Sequence, residues 1–172
     1  MQAVFKLFWD IALWRRVPRD VPSSAALLLG VAALYVATST LQAALLYGLG
    51  SAVLRGFADL AVTGLAVWVC LAAGRRLYRL RQTLIAVLGT GSLLSLPMIA
   101  LMLLRPAAGG ETGLIAVLSL ASLVLVVWYL LVVGHIVRHA LDAPLFTGMT
   151  VAMTYFVVSY LLLEQVLPAA LT

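Results

Sequence analysis

Gly74-Arg75-Arg76-Leu77-Tyr78-Arg79-Leu80-Arg81-Gln82 gathers four of the eleven basic residues of the chain into one short break between two long apolar runs. Basic residues that flank apolar runs stay on the cytoplasmic side during insertion, so Arg75, Arg76, Arg79 and Arg81 set the orientation of the helices before and after them. The chain around this loop has 172 residues, 65% of them hydrophobic, and a mean hydropathy of +1.15. A soluble domain is roughly half apolar. The expected fold is therefore an all-α integral membrane protein. The net charge of +5 does not point to nucleic acid, because the arginines stand at the ends of apolar runs, where they anchor one leaflet. The lone Cys70 lies inside an apolar run and reads as a small buried hydrophobe.

Before the loop, a span over about 52–73 contains Arg55 and Asp59, one helical turn apart on one face. An ionisable group inside a span is costly and is a functional candidate by default. Here Arg55 supplies a partner, so a structural ion pair stands beside a proton or substrate site. The preceding span, about 25–47, carries Thr38, Ser39, Thr40 and Gln42, read first as packing groups that bond to the preceding turn or a neighbouring helix. Gly48-Leu49-Gly50-Ser51 joins the two spans as a tight turn, and Ser23 or Ser24 can cap the first.

Upstream lies residues 1–22. Phe5, Phe8, Trp9, Ala12 and Leu13 fall at helical spacing, with Lys6 and Asp10 on another face, which predicts an amphipathic helix lying in the membrane interface. It is too short to span. Val17-Pro18-Arg19-Asp20-Val21-Pro22 ends it, and no cleavable signal peptide is legible in these residues.

After the loop, a third span over about 82–104 holds Gly89-Thr90-Gly91-Ser92, Ser95 and Pro97; the proline predicts a kink near mid-membrane. Interrupted helices build substrate sites in transporters, but a kink with flanking hydroxyls is also common in ordinary bundles. A glycine-rich loop, Arg105 to Thr112, leads to a fourth span, about 113–134. His135, His139 and Asp142 follow at spacings that share one helical face, which is the spacing of a weak metal candidate; the simpler reading is the polar end of a helix. The fifth span, about 145–167, has Gly148 and Ala152 at small-xxx-small spacing, a seam for close helix packing. Glu164 falls at the same depth as Arg55, Asp59 and Arg105, which predicts a charged cluster of these four residues at the outer rim.

Nine Lys and Arg fall on the side of the N-terminus and the arginine loop, against Arg55 and Arg105 on the other. That distribution predicts a cytoplasmic N-terminus and a periplasmic C-terminus. Catalytic and nucleotide-binding fingerprints are missing, the sole lysine is Lys6, and both histidines lie on one helix, so neither an enzyme nor a cofactor is expected. Two classes remain. One is a non-catalytic scaffold, assembly factor or accessory subunit with a membrane-protein partner or a second copy of itself. The other is a small transporter or channel subunit using Asp59, Glu164 and the third span with Pro97. In layout the chain resembles the Yip family of five-span membrane proteins and their bacterial relatives: an amphipathic segment with Pro18-Arg19-Asp20-Val21-Pro22 before the first span, and Ala140-Leu141-Asp142-Ala143-Pro144 before the last. The resemblance implies a scaffold or trafficking-like role. The Asp-Leu-Tyr-Gly-Pro type motif of eukaryotic members is missing, so Rab-type partner binding is not implied. The high Ala, Leu, Val and Arg content suggests a GC-rich bacterium, hence an inner membrane.

Overall fold

A computed structural model describes residues 2–105, 109 and 111–166. Most of the loop before Thr112, the end expected for the fifth span at Leu167 and the following Pro168 lie outside the described residues. Among the described residues six α-helices follow one another: α1 Gln2–Ala12, α2 Ala25–Tyr47, α3 Leu49–Ala73, α4 Leu80–Leu104, α5 Thr112–Leu141 and α6 Leu145–Val166. Among the described residues, five helices are long and apolar enough to cross a membrane, which makes this a multi-pass membrane protein.

Local chemistry sets the helix ends. The Ser24 hydroxyl accepts from the Leu27 amide, 3.4 Å away, and caps α2. Gly48, at φ +85°, is the whole connection between α2 and α3, so the turn expected over four residues uses one. At the other end Arg75 at φ +55° follows α3, and Asp142 at φ +53° follows α5. α5 runs seven residues beyond the expected span, because the His-Ile-Val-Arg-His segment continues the helix past its most apolar part.

α4 is the axial element. Residues 85–94 are all buried, enclosed by α2, α3, α5 and α1. Its hydroxyls serve its own backbone: Thr90 donates to the Ala86 carbonyl at 2.7 Å, Ser92 to Leu88 at 2.8 Å and Ser95 to Gly91 at 2.9 Å. The helix continues through Pro97, which sits on an exposed face.

Two close approaches hold the bundle. A side-chain carbon on Gly56 would run into Thr40, so α2 and α3 touch backbone to side chain. One on Gly148 would run into the Gly134 carbonyl and Arg138, and Ala152, 1% exposed, packs with Val133 and Val137. The small-residue seam on α6 therefore faces α5, while Thr150 and Thr154 of the same helix are exposed.

α1 docks against the bundle through Leu7, Phe8, Ile11 and Ala12, and the Phe8 ring occupies the space a side chain on Gly89 would need. The apolar face expected from spacing alone is thus divided. Phe8 and Ala12 turn inward with Leu7 and Ile11, whereas Phe5 and Trp9 are exposed. The cause is tertiary. Apart from Lys6 and Asp10, residues 3–13 are apolar or aromatic, and the groove beside Gly89 selects which stripe is buried.

Candidate functional site

Three of the spanning helices, α2, α3 and α6, carry sparse polar stripes, and the stripes converge. On α2, Tyr35, Ser39 and Gln42 stand at i, i+4 and i+7; on α3, Asp59 and Thr63 are one turn apart; on α6, Tyr155 and Ser159 are again one turn apart. Between them lies a cavity of about 310 Å³ lined by residues of all five spanning helices. α4 contributes Gly91, Ser95, Met98 and Met102, and α5 contributes Tyr129. Gly91 leaves room for the Tyr35 ring, from which an added carbon would stand only 3.0 Å.

Hydrogen bonds close the floor of the chamber. The buried Thr63 hydroxyl lies 3.3 Å from the Tyr35 hydroxyl and 2.7 Å from that of Tyr155, joining α2, α3 and α6. Beneath this floor is a small apolar void of about 30 Å³ beside Val67, Cys70 and Val87, and then the packed half of α4. Opposite the floor the chamber shares Ser39, Gln42, Tyr160 and Leu163 with a second cavity of about 150 Å³, which reaches Tyr47, Arg55 and Glu164. The space therefore runs from the middle of the bundle toward the end away from the arginine loop.

Among the described residues Asp59 is the one carboxylate lining the chamber. It lies ten residues into α3, about 15 Å along the helix axis at 1.5 Å per residue, deeper than expected because α3 starts at Leu49. Ser39 donates to its Oδ2 at 2.8 Å. Among the described residues Asp59 is in no ion pair. Arg55, 5% exposed, turns instead to Glu164, 3.8 Å away, and lies over the Tyr47 ring at 3.7 Å, while the Tyr47 hydroxyl donates to Glu164 at 2.7 Å. Arg105 donates to the Ser119 hydroxyl at 3.1 Å. The four charges expected in one rim cluster are thus split: Arg55 and Glu164 pair, Asp59 sits deeper, and Arg105 stands apart. A one-turn spacing on a single helix puts Arg55 and Asp59 on one face, but the neighbouring helices decide which way each side chain turns.

The arginine loop is built into the fold. Arg19, Arg76 and Arg79 all converge on Asp142, with Arg79 Nη2 at 3.0 Å. Arg79 also donates to the carbonyls of His139 and Ala140 at 3.1 and 3.0 Å, satisfying acceptors in the last turn of α5. Arg81 reaches the Ser23 carbonyl at 3.3 Å, and Arg75 is exposed. Asp142 is consequently drawn away from the histidines. His135 stacks on Trp14 with ring centroids 5.0 Å apart and contacts the Arg16 carbonyl at 3.2 Å; His139 accepts from Arg138 at 3.1 Å. His135, His139 and Asp142 form no three-ligand metal group among the described residues. Helical spacing brought the two rings within 4.6 Å, but the left-handed turn at Asp142 gives its carboxylate to the arginines.

Pro97 does not line the chamber, and Glu164 lines only its outer extension. Tyr35, Tyr129, Tyr155 and Ser159 are site residues that spacing within single helices did not single out. The available signal was a polar residue recurring every fourth position inside otherwise apolar helices. No family model, curated protein or solved structure matches the chain.

Proposed function

We propose that this is a bacterial inner-membrane protein without catalytic activity, with its N-terminus and arginine loop in the cytoplasm, whose outer chamber receives a small ligand as a carrier or carrier subunit. The observation that carries this reading is the chamber itself. Among the described residues all five spanning helices line it, it holds a single carboxylate, and it runs toward one end while the other half of the bundle is packed. Ligand sites are typically cavities of about 300–1,000 Å³ with apolar walls and a few placed polar groups. The count of nine basic residues to two supports the orientation. α1 then lies along the cytoplasmic interface, with Phe5 and Lys6 turned from the bundle toward headgroups and Trp9 edge-on against Trp128.

The second reading is a scaffold or assembly subunit of the Yip-like type. It is favoured by the exposed aromatic and basic residues at the cytoplasmic end: Phe5, Trp9, Trp14, Arg15 and Arg75. Arg76 and Arg79 add less to it, since they are engaged with Asp142.

Reconstitution in liposomes with a panel of labelled cationic, anionic and neutral organic solutes separates the two readings. The carrier reading expects at least one class to enter faster than into protein-free liposomes, with Met98→Trp, which fills the chamber, returning uptake to background. If no class enters and a C-terminal tag extracts a stoichiometric membrane partner, the scaffold reading replaces it.

A further inference from the structure

The chemistry of the chamber walls narrows the ligand. Asp59 is the one carboxyl group among the described residues facing the space, set near mid-span with Ser39 donating to its Oδ2 and the Tyr35 hydroxyl as a second partner. A carboxylate in a low-dielectric site attracts a cation and repels an anion far more strongly than it would in water. Tyr35, Tyr129, Tyr155 and Phe156 add aromatic rings to the walls, and an aromatic face attracts a cation within about 6 Å of its centre. Met98 and Met102 add polarizable, adaptable surface on the α4 side, and Leu94, Leu125 and Leu163 supply aliphatic area.

These walls disfavour the other classes. Hard divalent cations take about six or more oxygen ligands, and here one carboxylate stands among ring and aliphatic surfaces. A sugar needs many free convergent donors and acceptors, whereas the Tyr35 and Tyr155 hydroxyls meet Thr63, Ser39 donates to Asp59 and Ser95 donates to its own helix. Arg55, the cation nearest the outer opening, is held against Glu164 and the Tyr47 ring, so its charge is offset where a cationic ligand would pass.

Building on the reading of the chamber as a ligand site, we propose that it binds a monovalent organic cation with an apolar body, a quaternary or protonated amine, with Asp59 as counter-charge and the tyrosine rings as its cage.

The test uses the full-length protein in nanodiscs of phosphatidylcholine and compares two probes of one shape, benzyltrimethylammonium and its neutral isostere neopentylbenzene. Wild-type protein is expected to bind the cation in preference to the isostere, and Asp59→Asn to weaken cation binding by roughly tenfold or more. Asp59→Glu retains part of the affinity, and Met98→Trp loses binding of both probes. Tyr129→Phe is expected to keep cation binding, and Tyr129→Leu to weaken it several-fold, because the ring face and not the hydroxyl acts on the cation. Each variant is compared only where it elutes as one species, and the two Tyr129 variants decide the matter should Asp59→Asn fail to fold. Equal binding of both probes, unaffected by Asp59→Asn but lost in Met98→Trp, overturns the cation class and leaves the chamber as a ligand site. Binding of neither probe to wild-type protein overturns the cation class; if every solute class is also excluded in the liposome assay, the ligand-site reading falls with it.

Discussion

Thr63 is where three helices meet at a single hydroxyl. It is fully buried on α3, and both the Tyr35 and Tyr155 hydroxyls reach it. Replacing it with valine preserves the shape but removes the hydroxyl that ties α2 and α6 to α3, although Tyr35 keeps Asp59 and Tyr129 as partners and Tyr155 keeps Tyr129 and Ser159. A lost hydrogen bond whose partners find others nearby is worth about 0.5–1.5 kcal/mol. Thr63→Val is therefore expected to lower the thermal stability of the detergent-solubilised protein and to weaken ligand binding through a looser floor. Tyr155→Phe, which removes one of the hydroxyls and leaves the other on Thr63, should be milder. Equal stability of Thr63→Val and wild type, read by the melting of Trp fluorescence, would show that the floor is not held by this junction. The same scale shows what single residues hid in the sequence. Asp59 was legible as an exceptional charge, but its bond to Ser39 on another helix was not, because Arg55 one turn away was the nearer partner along the chain. Asp142 read with the histidines three and seven positions before it, whereas its actual neighbours come from positions 19, 76 and 79, brought near only by folding.

At the scale of elements, helix positions were the legible part. Long apolar runs bounded by Ser, Gly and Arg place α2 at the expected residues, and α4 and α6 within two of them at the described ends. Length and hydropathy suffice for this, since a span needs about 20 apolar residues. α1 was legible as a helix and not as a docked one. Its inward face is chosen by the space above Gly89, into which Phe8 fits, and by the Trp128 indole, which donates to the Ala12 carbonyl at 3.0 Å. Gly89→Val is expected to expel the Phe8 ring and loosen α1 without dissolving the bundle. The measurement is tryptic cleavage at Arg15 and Arg16 in inside-out vesicles, several-fold faster in the variant, with Phe8→Ala added to Gly89→Val restoring slow cleavage. Unchanged cleavage in Gly89→Val would mean that α1 is held by its other contacts alone.

At the scale of the whole molecule, the bundle is asymmetric from end to end. The end with the arginine loop is sealed by α1, the buried half of α4 and the Asp142 cluster, and the opposite end holds the chamber and its extension. No periodicity in one helix reveals a space between five. The sequence shows hydroxyls and tyrosines scattered through apolar runs, and only the rotation of each helix about its axis turns them into one lining. This asymmetry makes the central claim, a chamber open to the outside and closed to the cytoplasm, directly measurable by cysteine reactivity. In a Cys70→Ser background, Val126→Cys on the chamber wall and Leu88→Cys in the packed half are each exposed to a membrane-impermeant thiol reagent, applied to right-side-out spheroplasts. Val126→Cys should be labelled from outside and protected by excess benzyltrimethylammonium, with Leu88→Cys unreactive; labelling of Val126→Cys no faster than Leu88→Cys would contradict an outward-open chamber.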